Sequence, residues 1–355
     1  MTAMRAAVYH GRRDVRIEER PVPDAGPADL LVRVTRCGIC GTDAGEYAAG
    51  PSMFPVERVH PVTGHHGPMV LGHEFTGTVV SQGADVSDEW VGCRVVSGAG
   101  VSCGVCEWCA AGRTNLCARY WTLGLNADGG LAGFVAVPTR TCRVVPEGVS
   151  DDAAGLTQPL AVGLHAVRRA AIRPGETVVL MGVGAIGSFV LAGLVAARPG
   201  RVVAVDVDDG RLAAAKALGA TDTVNAAVDD PVVAIHELTA GRGADVVVEA
   251  SGARGNAQRA ARSAARGGRV LLVGLPHEPQ TLDLDDLTLR EVEVRTTVAH
   301  VCDEDVPAAL ELLTQTDLTR QLLDRVIPLE RLVSDGLEAM LTGSVSGKVL
   351  IDPHG

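Results

Sequence analysis

The chain has 355 residues, 46% of them hydrophobic and 21% charged, with a net charge of −11 at pH 7, which fits a globular protein of two domains that each bury a core. The negative charge argues against a nucleic-acid surface, because phosphates would be repelled, and no apolar run reaches the roughly 20 residues that cross a bilayer. Nine cysteines and the lack of an apolar signal segment at the start of the sequence favour a reducing compartment, so we expect a cytoplasmic protein.

The first 150 residues or so are predicted to form short β-strands separated by loops rich in Gly and Pro. Residues that favour strands, in partial alternation with polar ones, mark four segments: 6–9, 30–35, 76–80 and 94–96. A β-rich domain is therefore expected in this part of the chain.

Two segments of this region carry side chains that bind metals. Cys40 lies in CGICGTD (37–43), and His73 and Glu74 lie in LGHE (71–74). One thiolate, one imidazole and one carboxylate suit a Zn²⁺ ion whose shell stays open for a water or a substrate oxygen. Other interpretations exist for the separate parts, since Cys37 with Cys40 could form a redox pair, and His73 could be an ordinary core or surface histidine.

Four further cysteines follow within fifteen residues, in the spacing C-x2-C-x2-C-x7-C: Cys103, Cys106, Cys109 and Cys117. Four thiolates at such spacings match the closed tetrahedral shell of a structural Zn²⁺, which predicts a zinc lobe over residues 97–120. Disulfides would suit a small secreted domain better. An iron–sulfur cluster also takes four thiolates, but ferredoxins space them differently.

From about residue 177 the pattern changes to alternating strands and helices. Residues 178–181 form a continuous apolar run, which is typical of a strand buried on both faces. Further strands are predicted at 202–205, 246–248 and 270–273, with helices around 211–218 and 256–265. This alternation predicts an α/β fold with a doubly wound parallel sheet.

A glycine-rich turn joins the first strand of this sheet to its helix. It comprises Gly182, Val183, Gly184, Ala185, Ile186 and Gly187. Gly182 permits the tight turn, Gly184 lets a pyrophosphate approach, and Gly187 lets helix and strand pack closely. The helix N-terminus would then offer free N–H groups to the phosphates of a dinucleotide. An α/β turn with incidental glycines is the alternative interpretation.

Asp206 ends the next predicted strand, 19 residues after Gly187. Its carboxylate can accept hydrogen bonds from the ribose hydroxyls of NAD(H) and would repel a 2′-phosphate, which favours NAD over NADP. Arg211 is a candidate to lie over the adenine ribose, although an exposed helix arginine would look the same in the sequence.

Taken together, these segments resemble the zinc-dependent medium-chain dehydrogenases/reductases and, within that family, the branch of the sorbitol-type polyol and (R,R)-butanediol dehydrogenases. The resemblance covers nearly the whole chain, and residues 50–68 resemble the longer loop of the butanediol type. Its motifs are CGICGTD (37–43), EY (46–47), HPVTG and GPMVLGHEF (within 60–75), the four-cysteine run, QPLAVGLHAV (158–167), MGVGAIG (181–187), VVVEASG (246–252) and GGRVLLVGL (267–275).

The resemblance implies a GroES-like, β-rich catalytic domain formed by residues 1–160 and 297–355, with an NAD-binding Rossmann domain inserted at 161–296. It implies an oxidoreductase with two zinc ions per chain that transfers a hydride between NAD(H) and a secondary alcohol or ketone. The small-molecule substrate would be a diol, polyol or cyclitol, and the assembly a homo-oligomer, either a dimer or a tetramer. The alternatives are a dehydrogenase specialised for an amino sugar or aminocyclitol, and a non-catalytic NAD-binding relative.

The resemblance also assigns roles to single residues. Catalytic zinc would lie on Cys40, His73 and Glu74, and Thr42 would take the alcohol proton through its hydroxyl. The segment that backs the nicotinamide ring would be Val273, Gly274 and Leu275. The candidate walls of the substrate pocket are Tyr47, Trp121 and His300, the last at a position where the family often has a tyrosine.

Two positions depart from the family pattern. Gln158 stands where relatives carry a glutamate that ligates zinc or holds its water, and we interpret Gln158 as a neighbour of the metal that orients the water by hydrogen bonds. Gly45 stands where relatives carry a histidine that relays the proton to solvent. The two lysines among the 32 basic residues, Lys216 and Lys348, are interpreted as a coding bias toward arginine and receive no functional role.

Overall fold

The computed structural model describes residues 3–87, 89–276 and 278–355. The chain divides into two units, one that combines both chain ends, Met1–Ala161 and His300–Gly355, and one formed by the intervening segment Val162–Ala299. The boundaries expected from the sequence, at 160/161 and 296/297, lie one and three residues from these positions. The metal-ligand segments therefore belong to one unit and the glycine-rich turn to the other.

The N-terminal part of the chain consists of short strands and short helices, because Gly and Pro interrupt its β-favouring segments. Its strands are β1 (Ala3–Gly11), β2 (Asp14–Pro21), β3 (Asp29–Gly38), β4 (Met69–Val70), β5 (Glu74–Gln82), β6 (Arg94–Ser97), β7 (Gly100–Val101), β8 (Trp121–Thr122), β9 (Phe134–Pro138) and β10 (Cys142–Val144). Its helices are α1 (Gly41–Ala49), α2 (Glu107–Ala110) and α3 (Asp151–Gly155). The four predicted strands are confirmed, as β1, β3, β5 and β6.

The middle of the chain alternates helices and strands. The helices are α4 (Thr157–Ala170), α5 (Ala185–Ala197), α6 (Asp209–Leu218), α7 (Pro231–Leu238), α8 (Asn256–Ser263) and α9 (Leu284–Leu289). The strands are β11 (Thr177–Met181), β12 (Arg201–Asp206), β13 (Asp222–Asn225), β14 (Ala244–Glu249), β15 (Ala264–Leu272) and β16 (Glu293–Thr296). Across the described parts of the chain, no helix is both long and apolar enough to cross a membrane.

The C-terminal part returns to the first unit. It contains α10 (Cys302–Gln315), α11 (Leu318–Leu322), β17 (Leu323–Pro328), α12 (Glu338–Leu341) and β18 (Lys348–Asp352). A 3₁₀ turn (Leu329–Arg331) and a π-helical segment (Leu332–Leu337) lead into α12.

Strands from both chain ends form one mixed sheet in the first unit. Its order is β10-β6-β5-β3-β18-β17, and β9 also pairs with β3. Alternate residues of β3, among them Leu30, Val32 and Val34, are fully buried in the main core of this unit, which is the period of two expected of a strand. At the end of β3 the register places Gly38 opposite Glu74 on one side and Leu350 on the other. The starts of β5 and β18 are thereby brought beside the end of β3.

The second unit contains a parallel sheet in the order β13-β12-β11-β14-β15-β16. Val178 and Leu180 of β11 belong to one apolar cluster, and Val179 and Met181 belong to another, so β11 is covered on both faces. Because parallel strands end at the same edge, the loops that follow them meet there. The predicted α/β fold with a doubly wound sheet is confirmed.

Candidate metal centres and dinucleotide site

The three predicted ligands of the catalytic zinc converge in the first unit. Cys40 is the N-cap of α1, His73 directly precedes β5, and Glu74 is the first residue of that strand. One ligand atom from each lies within 4.8 Å of the others. His73 and Glu74 are 5% and 1% exposed, while Cys40 is half-buried. Two of the three candidate ligands are thus shielded from solvent, and Cys40 is the most exposed of them.

Two glycines make this close approach possible. A Cβ atom on Gly38 would lie 2.3 Å from Oε2 of Glu74, which occupies the space beside the strand. Gly72, just before the ligands, has φ +98°, and a Cβ there would lie 2.6 Å from the amide nitrogen of Leu131. A side chain at either position would displace the ligand segment, which explains glycine at both.

Asp43 lies next to this cluster, although the sequence analysis gives it no role. It is fully buried, and its Oδ2 accepts a hydrogen bond of 2.8 Å from the Cys40 amide. Its Oδ1 lies 3.7 Å from Nδ1 of His73, and neither of these two atoms has a hydrogen-bond partner among the described residues. Burial raises the pKa of the Asp43 carboxyl. Such a carboxylate can fix the orientation of a ligating imidazole through its second nitrogen.

Lys348 also lies next to this cluster, although the sequence analysis gives it no functional role. Its Nζ donates to both carboxylate oxygens of Glu74, at 2.9 and 2.7 Å, and to the carbonyl oxygen of Ile39 at 3.1 Å. The side chain is buried, with 3% of the residue exposed. Burial disfavours the charged ammonium, but the attraction of Glu74 outweighs it and raises the pKa of Lys348.

The charges of this cluster fit a divalent cation. A metal would bind here with Cys40, Asp43 and Glu74 ionised and His73 neutral, and these three acidic groups would then outnumber the one basic neighbour, Lys348, by two charges. Burial disfavours a charged imidazole, but Asp43 and Cys40 outweigh that effect and raise the pKa of His73 to about 10. The anions therefore draw positive charge into the cluster. A sulfur, an imidazole nitrogen and a carboxylate oxygen are the donors of an open zinc site.

The four cysteines of the predicted lobe also converge, with sulfur atoms within 4.8 Å of one another. Sγ of Cys106 lies 3.5 Å from Sγ of Cys109, and Sγ of Cys117 accepts from the amides of Cys103 and Arg119 at 3.2 and 3.3 Å. Amide N–H groups lower the pKa of Cys106 to about 6, whereas burial and Cys106 raise that of Cys109 to about 11. No disulfide joins any of the described cysteines, and the donor set fits a structural zinc.

The remaining residues predicted around the catalytic metal lie in the same unit. Oγ1 of Thr42, in the first turn of α1, is 3.8 Å from Sγ of Cys40. Gln158 is a half-buried residue of the first turn of α4. Gly45 lies within α1, where a Cβ atom would meet nothing within 4 Å. The roles of Thr42 and Gln158 remain predictions.

The three candidate pocket walls occupy separate parts of this unit. The Tyr47 hydroxyl donates to Oε1 of Glu338 at 2.8 Å, and the guanidinium of Arg13 lies 5.1 Å from the centre of its ring. Trp121 is half-buried in β8. His300 is buried, and its Nε2 is 3.0 Å from the carbonyl oxygen of Gly98. Contact of these side chains with a substrate remains a prediction.

In the second unit, the glycine-rich turn is tight and leaves open space at the start of the helix that follows it. Gly182 follows β11 with φ +90°, and Gly184 is the N-cap of α5. A Cβ atom on Gly187 would lie 1.9 Å from the carbonyl oxygen of Gly182, whereas one on Gly184 would meet only Nη1 of Arg211 at 3.8 Å. Gly187 is thus required for helix–strand packing, and the space in front of Gly184 is open. The first turn of α5 contains Ala185 and Ile186.

Asp206 lies at the carboxyl end of β12, beside this turn. Its carboxylate accepts from the amides of Val183 and Val207 at 2.9 and 2.8 Å, and Nη1 of Arg211 is 3.8 Å away. A cavity of about 450 Å³ opens at this edge of the sheet, with Gly182, Asp206, Arg211 and Arg259 among its lining residues. A cavity of this size at the ends of parallel strands suits the adenosine half of a dinucleotide.

The segment predicted to back the nicotinamide follows β15 at the same edge. The amides of Val273 and Gly274 donate to the carbonyl oxygen of Glu249 at 2.8 and 3.0 Å. A Cβ atom on Gly274 would lie 2.1 Å from the amide nitrogen of Gly252. Leu275 is 77% exposed, so its side chain is available for contact, and its role remains a prediction.

Comparison with known proteins bears on both units. Residues 26–147 match the family model of the alcohol dehydrogenase GroES-like domain, and residues 185–315 match that of the zinc-binding dehydrogenases. Sorbitol dehydrogenase of Bacillus subtilis is 36% identical over 277 residues, which cover 78% of this chain and 76% of that protein. (R,R)-butanediol dehydrogenase of the same species is 31% identical over 354 residues, which cover 99% of this chain and 100% of that protein.

Solved structures agree with these matches. The crystal structure of 2R,3R-butanediol dehydrogenase from Bacillus subtilis has a TM-score of 0.91 at 31% identity and covers 99% of both chains. The alcohol dehydrogenase of Thermus sp. ATN1 has a TM-score of 0.88 at 29% identity, over 98% of this chain and 99% of that one. The resemblance is thereby confirmed, and with it an enzyme that uses zinc and a nicotinamide dinucleotide. The chain belongs to the zinc-dependent medium-chain dehydrogenase/reductase family, in the branch of the polyol and butanediol dehydrogenases.

Proposed function

We propose that this enzyme oxidises a secondary hydroxyl group of a diol, polyol or cyclitol with NAD⁺, and reduces the corresponding ketone with NADH. The observation that supports this most is the convergence of Cys40, His73 and Glu74, whose sulfur, nitrogen and oxygen atoms are the donors of an open zinc site. The similar proteins support the substrate class, since sorbitol, butanediol and idonate each carry more than one hydroxyl group.

The residues of the first unit have separate roles at the metal. Cys40, His73 and Glu74 would hold Zn²⁺, which when bound acts as a Lewis acid that lowers the pKa of an alcohol. Asp43 fixes the imidazole plane of His73 through the nitrogen that faces it. The hydroxyl of Thr42 accepts the alcohol proton while it passes its own proton on to water. The amide of Gln158 orients water by hydrogen bonds without adding negative charge.

The second unit binds the dinucleotide and selects it. NAD⁺ supplies the two-electron acceptor of the reaction. The free N–H groups at the start of α5 hold its pyrophosphate. The Asp206 carboxylate accepts hydrogen bonds from the hydroxyls of the adenosine ribose and repels a 2′-phosphate. Arg211, which faces the same cavity, packs over that ribose.

The location and assembly of the enzyme also belong to this proposal. We propose a cytoplasmic enzyme, because the cluster of four free thiols and the single thiol of Cys40 would need reducing conditions to stay available for zinc. We further propose a homo-oligomer, a dimer or a tetramer. Support comes from β16, which ends its sheet and carries exposed Val294, with Leu289 and Val298 also exposed nearby.

A substrate panel with measured metal content tests the proposal. Purified enzyme is assayed by reduced-nicotinamide absorbance with NAD⁺ and a set of diols, polyols, cyclitols and amino sugars, and zinc is measured per chain. We expect about two zinc ions per chain, turnover on a vicinal diol or polyol, and loss of one zinc together with activity in Cys40→Ser. A preparation that holds two zinc ions and turns over only amino sugars or aminocyclitols would contradict the proposed substrate class, and one inactive on the whole panel would contradict the proposed reaction.

A further inference from the structure

We infer that Lys348 is a positioning residue of the catalytic metal site, whose ammonium shares the Glu74 carboxylate with the metal and weakens Glu74 as a ligand. This inference rests on the proposed function, because it requires a metal on Cys40, His73 and Glu74. It goes beyond that function because it assigns a control of metal affinity and of Lewis acidity to a residue outside the ligand set.

The contacts of Lys348 fix its ammonium against Glu74. An ammonium has three N–H donors, and three oxygens lie at 2.7 to 3.1 Å, two from Glu74 and one from the Ile39 carbonyl. Lys348 and Glu74 are 3% and 1% exposed, so water does not screen the pair. Both residues are strand starts, in β18 and β5, on either side of the end of β3. The pair is therefore held by the sheet and not by flexible loops.

One carboxylate thus faces two cationic partners. Both oxygens of Glu74 accept charge-assisted bonds from Lys348, while one of them lies within 4.8 Å of the Cys40 and His73 donor atoms. Hydrogen bonds from an ammonium withdraw electron density from carboxylate oxygens, which makes them weaker metal donors. The charge of Lys348 also repels a metal cation at close range in a poorly screened site. Both effects lower metal affinity and leave the metal a stronger Lewis acid.

The rate at which the metal is lost distinguishes this role of Lys348 from a purely structural one. If Lys348 only stabilised the fold, its removal would loosen the site and speed the loss of metal. If it competes with the metal for Glu74, its removal would free the carboxylate and slow that loss. The two roles therefore predict changes of opposite sign.

The test measures zinc release to a chelator from Lys348→Met and Lys348→Gln, two neutral variants, and from Lys348→Arg, which keeps the charge. We expect release from the catalytic site to slow about tenfold or more in the neutral variants, and to stay within about threefold of the unmodified enzyme in Lys348→Arg. Cys40→Ser identifies which phase of the release belongs to this site.

Arg269→Met is the matched control. Arg269 is also buried, at 7% exposure, and Nη2 lies 2.6 Å from Oε2 of Glu176 in the second unit. Its loss removes a buried ion pair that does not involve a metal ligand. It should destabilise the protein to a comparable degree without slowing zinc release.

Cobalt substitution gives a readout that does not depend on turnover. We expect the visible absorption bands of Co²⁺ at the catalytic site to shift in Lys348→Met and Lys348→Gln, because Glu74 binds the ion more strongly, and to be unchanged in Arg269→Met. If the enzyme holds two zinc ions but the neutral variants release the catalytic one at the same rate or faster, the role of Lys348 is wrong and the proposed function stands. If the unmodified enzyme holds zinc only in the four-cysteine lobe, both are wrong.

Discussion

The Asp43 carboxylate lies next to two of the proposed ligands. It accepts a hydrogen bond from the Cys40 amide, and its other oxygen lies 3.7 Å from Nδ1 of His73. Its position follows from the helix, because Asp43 is the third residue after the N-cap of α1 and completes a capping box with it. One buried acid thus caps the helix start and lies beside the imidazole that it would orient in the proposed site. The same side chain serves the fold and the site.

We expect Asp43→Asn to lower zinc affinity at the catalytic site by about 10- to 100-fold, because neighbours of metal ligands have effects of that size. The amide keeps the size of the carboxylate but loses the charge that faces His73. The measurement is zinc retained per chain after dialysis against graded concentrations of chelator.

The control for this prediction is Glu18→Gln, which alters another histidine–carboxylate pair. Oε1 of Glu18 lies 2.7 Å from Nε2 of His10, on β2 and away from the proposed ligands. Zinc retention should not change in that variant. If Asp43→Asn retains zinc as well as Glu18→Gln does, Asp43 does not orient the ligand.

Asp206 decides the choice of dinucleotide in the proposed function. We expect Asp206→Ala to raise the KM for NAD⁺ about tenfold or more, because the ribose hydroxyls lose a charged acceptor, and to lower the KM for NADP⁺. The measurement is steady-state kinetics with each dinucleotide. Asp209→Ala is the control, since Asp209 is exposed at the start of α6 and bonds Asn225. Unchanged preference in Asp206→Ala would refute its placement at the ribose.

Single residues of the site could be predicted where the sequence is local. His73 and Glu74 are adjacent, Cys40 lies in a short cysteine motif, and Asp206 ends a recognisable strand. Asp43 shares the motif of Cys40 but was not predicted, because an aspartate near a cysteine has no distinctive pattern. Lys348 could not be predicted, because it is 274 residues from Glu74 in the chain and its environment arises only when β18 joins β3. A lysine has no pattern that distinguishes a buried ion pair from an exposed surface position.

At the scale of elements, prediction succeeded where a pattern runs over several residues. The strands β3 and β11 show it clearly, because β3 alternates buried and less buried residues and β11 is apolar from Val178 to Met181. Strands of two residues, such as β4 (Met69–Val70) and β8 (Trp121–Thr122), are too short to show any period. They exist because neighbouring strands pair with them, as β1 pairs with β4.

Helix α1 carries a glycine that its own geometry does not require. Gly45 lies in the helix interior, and a Cβ there would meet nothing within 4 Å. We expect Gly45→Ala to raise the free energy of unfolding by about 0.5–1 kcal/mol, since alanine loses less backbone entropy in a helix. Urea unfolding measures the change.

Gly38→Ala provides the opposite case for comparison. Its Cβ would lie 2.3 Å from Oε2 of Glu74, so this variant should lose stability and zinc. If Gly45→Ala also loses stability, the helix needs the glycine for a reason other than space.

At the scale of the whole molecule, the first unit is built from residues that are far apart in the chain. Periodicity alone predicted a β-rich start and an α/β middle, and the return of the C-terminal segment was expected only through the family resemblance. The physical reason is that β18 has the same apolar, strand-like character as many strands, and nothing in its five residues specifies β3 as its partner. Pairing over such distances is decided by the complete core.

The edge strand β16 is the proposed contact between copies of the chain. Val294, 39% exposed, lies on this strand, which among the described residues pairs with β15 only. If β16 lies in a contact between two copies, a charge there should disrupt the assembly. We expect the unmodified enzyme to sediment as a dimer or tetramer and Val294→Lys to shift toward smaller species at the same concentration. Val144→Lys, which places the same charge on the 52% exposed valine of β10 at the end of the other sheet, should leave the mass unchanged. A monomeric unmodified enzyme, or a Val294→Lys variant of undiminished mass, would show that this edge is not the contact between copies.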